Sequence, residues 1–88
     1  MKYFAALLPM RDLEKSQELR PAHLEFLDQK SQEGKIFARG RFVDGAGGLI
    51  IYKGESLEEA KKTALSDPYV AHGARSLELH EWDMKVVG

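Results

Sequence analysis

The chain has 88 residues, room for one domain spanning 1–88, and such a fold buries roughly 60% of its unfolded surface, so a second copy is a common way to bury more. Hydrophobic residues make up 43% and charged residues 31%, a globular composition, and a net charge of -1 offers no basic excess for a phosphate backbone, which speaks against nucleic acid as a partner. With no cysteine there are no disulfides, no thiolate chemistry and no cysteine-ligated metal, in keeping with a reducing compartment.

Residues 2–8 are apolar and predict a strand that Pro9 ends. The same stretch looks briefly like a secretory leader, but its apolar run is short and Met10-Arg11-Asp12 follows where a small-residue cleavage site belongs. No apolar run approaches the ~20 residues of a membrane span. A soluble cytoplasmic protein without a membrane partner is the expectation. Residues 10–16 are polar and read as a link to a helix over roughly 17–33. Pro21 is expected in or near its first turn, where a missing N–H is tolerated, and Gly34 ends it as a C′ residue.

Residues 35–42 predict a second strand and 49–53 a third, joined through Asp44-Gly45-Ala46-Gly47-Gly48 as a hairpin. Ser56-Leu57-Glu58-Glu59 is a capping box that opens a second helix, running to about Leu65 with Leu57, Ala60, Ala64 and Leu65 toward the core. Asp67-Pro68 breaks it, residues 69–73 allow one further turn, and 76–84 form the last strand before a loose tail.

The order β-α-β-β-α-β, with a hairpin in the middle, is the split-βαβ, ferredoxin-like pattern of the α+β class. It predicts a four-stranded antiparallel sheet with two helices on one face. The other face is left bare, since Phe37, Tyr52 and Trp82 do not all fit under two short helices. A bare apolar sheet face predicts a homodimer that pairs through it.

His23 is the residue most open to a chemical reading. It falls inside a helical stripe with Leu19, Ala22, Phe26 and Leu27, and a titratable group on a core face needs a partner. It is either a core histidine bonded to a carbonyl or a general acid–base, since imidazole moves protons near neutral pH. Asp67 is either helix punctuation or the carboxylate that orients that imidazole. Arg20, three residues before His23, is a carboxylate clamp or a surface ion-pair partner. Arg39 and Arg41 alternate with Ala38 and Gly40, so both point to one face; on the open face they line a cavity between subunits or lie in solvent. Gly47-Gly48 permits close backbone approach to a ligand, but a hairpin turn explains it equally, and no Gly-Lys-Ser/Thr follows to make a phosphate loop. On a strand, His80 and Trp82 share one face while Glu81 and Asp83 share the other, and His72 has no partner at ligand spacing, so no metal site is assigned.

Taken in order, Arg20-Pro21-Ala22-His23-Leu24, Gly34, Phe37-Ala38-Arg39-Gly40, Gly47-Gly48-Leu49-Ile50-Ile51, Ser56-Leu57-Glu58-Glu59-Ala60 and Asp67-Pro68-Tyr69 resemble the YCII-related (YciI-like) family across residues 2–83. The resemblance implies a dimeric α+β barrel of two ferredoxin-like subunits, with the family's histidine and aspartate at His23 and Asp67. Muconolactone isomerases share that barrel, and one branch of the family looks like dehydrochlorinases of chlorinated aromatic breakdown products. Many relatives carry Gly-Ser where this chain has Gly47-Gly48, so that hydroxyl is absent here, and the preceding loop is short.

The function expected from residues and resemblance together is a cofactor-independent acid–base enzyme, an isomerase or lyase, acting on a small cyclic or aromatic-derived substrate. His23 and Asp67 are the catalytic candidates; Arg20, Arg39, Gly48 and Tyr69 are the substrate-binding candidates. The alternative is a non-catalytic dimer that binds or senses a small molecule. A nucleic-acid or acyl-phosphate role is disfavoured, because the paired strand aromatics of an RNA-recognition motif are not evident and the chain has no asparagine to pair with an arginine as in acylphosphatases.

Overall fold

Strict alternation in the first strand organises the molecule. In a computed structural model that describes residues 1–88, β1 (Lys2–Pro9) turns Phe4, Ala6 and Leu8 to one face and buries all three. Their partners across the antiparallel ladder to β3 (Gly47–Gly54) are Tyr52, Ile50 and Gly48, which share that face. Leu27 from helix α1 (Leu13–Gln32) and Ala60 and Ala64 from helix α2 (Leu57–Leu65) close over them to complete the core. With β2 (Ile36–Arg41), the single-turn α3 (Pro68–Ala71) and β4 (Glu78–Trp82), the order is the expected one, and the sheet runs β2-β3-β1-β4, antiparallel throughout. This is the ferredoxin-like α+β fold.

The local stop signals act as their chemistry dictates. Gly34 takes φ 76°, and the bonds Gly34 N–H to Ser31 O and Lys35 N–H to Lys30 O close α1 in a Schellman motif. The Ser56 hydroxyl accepts from the Glu59 N–H at 3.2 Å at the start of α2. Ala60 and Ala64 are buried there, whereas Leu57 and Leu65, expected toward the core, stay half exposed at the two ends of this short helix.

Two further expectations need correction. Helix α1 begins at Leu13, because Asp12 caps it by accepting from the Lys15 N–H at 3.0 Å. Residues 13–16 are therefore helix rather than link, and Pro21 lies in the helix interior, where it lacks the N–H that position would donate. The buried residues of α1 are Ser16, His23 and Leu27, and Ala22 falls outside that stripe. Second, a β-bulge between Ile36 and Ala38 leaves Phe37 as the extra residue, so the alternation of β2 shifts. Arg39 and Arg41 then pair with Ile50 and Gly48, on the helix side of the sheet rather than on its open face. As expected, the three aromatics do not all fit beneath the helices: Tyr52 is buried there, while Phe37 (47% exposed) and Trp82 (45%) lie on the opposite face, where Phe37 packs edge-on against Tyr3. No helix is long and apolar enough to cross a membrane.

Candidate functional site

Helix α1 carries His23 to the end of the sheet at which α3 begins. Asp67 is the N-cap of α3, with Pro68 after it to start the turn, and its Oδ1 accepts from the Tyr69 N–H at 2.9 Å. The same oxygen lies 2.7 Å from Nδ1 of His23. Asp67 is fully buried and the His23 side chain nearly so. An oxygen that already accepts one N–H calls for a donor in the ring as well. Nδ1 therefore carries the hydrogen, and Nε2 is left as the nitrogen able to take or give a proton.

Tyr69, brought round by α3, stacks on the His23 ring with centroids 3.8 Å apart and planes 13° from parallel. The Arg75 guanidinium sits over the same tyrosine, 4.4 Å from its centroid. Arg75 is itself fixed: Nε–H donates to Ser16 Oγ at 3.2 Å, Nη1 reaches the Leu8 carbonyl at 3.5 Å, and its backbone N–H donates to the Tyr69 carbonyl at 3.0 Å. The resulting cleft of about 440 Å³ has an apolar wall of Leu8, Leu24, Leu27 and Ile50, and a polar rim of His23, Tyr69 and four arginines. That volume suits a single small ring.

The structure thus brings His23, Asp67 and Tyr69 into contact and sets Arg20, Arg39 and Gly48 on the same cleft. Arg39 also holds Asp28 at 3.0 Å, an exposed pair on the rim. Gly48 has a packing reason of its own, since a Cβ there would lie 2.9 Å from the Gly40 carbonyl oxygen of the neighbouring strand. His80 lies on the open face beside Glu78, and His72 caps α3 with its carbonyl near Lys15 Nζ, so neither joins the cleft. No three His, Asp or Glu side chains cluster as metal ligands.

One contributor was not foreseen. Arg75 follows His72-Gly73-Ala74 in a segment without periodicity, and tertiary contacts place it: a bridge to Met10 and a backbone N–H donated to the Tyr69 carbonyl. Tyr52 was legible from strand alternation, since it shares a face with Ile50. Its hydroxyl is buried without a hydrogen-bond partner, and so is the second oxygen of Asp67. Burial first, and the charge of Asp67 second, push the Tyr52 hydroxyl above its ordinary value of 10.0.

This sets an alkaline signature. Below pH 10 the phenol is neutral in both states and its contribution to stability is intact. Above that pH the unfolded chain releases the proton while the native one keeps it, so stability falls by up to about 1.4 kcal/mol per pH unit. Tyr52→Phe is expected to remove that increment, measured as the difference in urea unfolding free energy between about pH 10 and 11. Parallel curves for parent and variant would mean that the phenol ionises freely in the fold.

Known proteins place the chain. The model of the YCII-related domain matches residues 1–83. The uncharacterized protein YjpA of Bacillus subtilis is 37% identical over 83 residues, which span 94% of this chain and 98% of that protein. Protein YciI of Escherichia coli O6:H1 is 42% identical over 71 residues, 69% of this chain and 72% of that one. Among solved structures, 5-chloro-2-hydroxyhydroquinone dehydrochlorinase (TftG) of Burkholderia phenoliruptrix AC1100, in complex with 2,5-dihydroxybenzoquinone, matches with a TM-score of 0.80 at 21% identity, over 94% of this chain and 95% of that chain. At that identity the likeness to TftG is one of fold. With the domain matched from the first residue through β4, and a relative 37% identical along the same span, this chain belongs to the YCII-related domain family.

Proposed function

We propose that this protein is a cofactor-independent acid–base enzyme, an isomerase or lyase, that moves a proton on a small cyclic or aromatic-derived substrate. One observation carries the reading: a fully buried carboxylate 2.7 Å from Nδ1 of a histidine whose ring lines a cleft. Asp67 fixes the tautomer and stabilises the imidazolium that forms when Nε2 accepts a proton. Tyr69 holds the ring plane by stacking. Arg20 and Arg39 steady negative charge that develops on the substrate, and the bare backbone at Gly48 lets a flat ring approach the sheet. TftG, a dehydrochlorinase bound to a dihydroxybenzoquinone, lends support from the same fold, since elimination of HCl begins with loss of a proton. The working form is a cytoplasmic homodimer paired through the open sheet face.

The test is a turnover screen with lactones and halogenated aromatic diols, run in parallel on His23→Ala. A processed substrate should lose at least about 100-fold in rate in the variant. Ligands that raise the melting temperature of the parent while none is converted would instead assign a binding or sensing role.

A further inference from the structure

A second cleft of about 270 Å³ abuts the first, and Arg20, Arg41, Tyr69 and Arg75 form a wall common to both. No acidic side chain lines either one. Four arginines, residues 20, 39, 41 and 75, thus converge on one place in a chain whose net charge is only -1. They arrive from three separate parts of the fold: α1, β2 and the segment before β4. Their chemistry differs in a useful way. Arg39 is engaged by Asp28, and Arg75 is held by Ser16 and the Leu8 carbonyl. Arg20 and Arg41 enter no ion pair. Like charges gathered without a counter-charge repel one another, and an arriving anion relieves that repulsion. Guanidinium groups suit planar or tetrahedral oxyanions, which they grip in a bidentate manner.

The geometry points to an oxyanion subsite on this shared wall: the ligand carries a carboxylate or phosphate held by Arg20 and Arg41, with the fixed Arg75 behind them. Its ring or unsaturated carbon then lies in the larger lobe beside His23. The placement of the reacting carbon rests on the acid–base reading above, while the binding of the anion does not. The smaller lobe, with Ser16 and Gln17 in its lining, takes the anionic arm. The fold therefore selects substrates with two separated ends, and a neutral ring of the same size is a poorer ligand.

The experiment is an NMR titration of amide and arginine Nε–H signals with sodium benzoate and, separately, with inorganic phosphate, at low ionic strength. It is run on the parent, Arg20→Gln and Arg41→Gln; both arginines are exposed, so the substitutions leave the core untouched. The expected result is saturable binding of at least one probe, with shifts centred on Tyr69 and Arg75 and a loss of fivefold or more in affinity in each variant. Tighter benzoate assigns a carboxylate, and tighter phosphate a phosphate. Failure of both probes to saturate, or unchanged affinity in both variants, overturns the subsite. Turnover that depends on His23 without anion binding would overturn this inference alone and leave the acid–base reading standing.

Discussion

Asp67→Ala lowers the thermal midpoint by roughly 8–25 °C. The substitution strips two donors of their common acceptor, since Oδ1 holds both the His23 ring at 2.7 Å and the Tyr69 N–H at 2.9 Å. A hydrogen bond to a charged group contributes about 1.5–3 kcal/mol, and loss of an N-cap costs about 1 kcal/mol. Relief of a buried carboxylate, one of whose oxygens has no partner, offsets part of that. A net loss of about 2–3 kcal/mol remains, and a domain of this length shifts by roughly 4–8 °C per kcal/mol. Asp67→Asn keeps the shape and the accepting oxygen but not the charge, so it should lose less than half as much. Calorimetry on the two variants separates shape from charge. An alanine variant as stable as the parent would show that the pair does not support the fold at all.

The second large effect concerns mass. If a second copy covers the open sheet face, the protein sediments at twice its 9.9 kDa at micromolar concentration. Tyr3, Leu7, Leu49 and Ile51 occupy that face, flanked by half-exposed Phe37 and Trp82. Phe37→Glu combined with Trp82→Glu puts two carboxylates where apolar surface meets, and unpaired buried charges cost several kcal/mol each. The variant is expected to be a folded monomer, with its dimer dissociation constant raised by about 1,000-fold or more. Both side chains are already half exposed within one chain, so the monomer's own fold changes little. A parent chain that sediments at 9.9 kDa under these conditions overturns the dimer.

What could be read from residues alone follows from how local each signal is. Gly34, Ser56 and Asp67-Pro68 act through their immediate neighbours, and each ended or began an element at its expected place. The start of α1 was obscured because residues 13–16 bury only Ser16, a polar side chain, and leave no apolar period to detect. The proline at 21 then drew the expected start several residues too late. The face of Arg39 and Arg41 depended on one extra residue at the bulge, and a shift of one inverts every side chain beyond it. His23 and Asp67 were each visible as oddities, and their contact is a product of tertiary folding. Arg75 had no local signal whatever; it reaches the cleft because its segment bridges to Met10.

The position of β1 inside the sheet has a consequence for how the molecule is made. Its two neighbours are β3 and β4, so Tyr3 waits for Trp82. During synthesis β1 emerges from the ribosome long before its second partner exists. Until β4 clears the exit tunnel, one side of β1 is an open row of N–H and C=O groups beside Phe4, Ala6 and Leu8. Closure of the fold waits for β4 and is dominated by distant pairings, which makes it slow beside a helical bundle of equal length. A product truncated before residue 78 lacks that last strand, and it presents a sticky strand edge to chaperones and proteases rather than a smaller working domain.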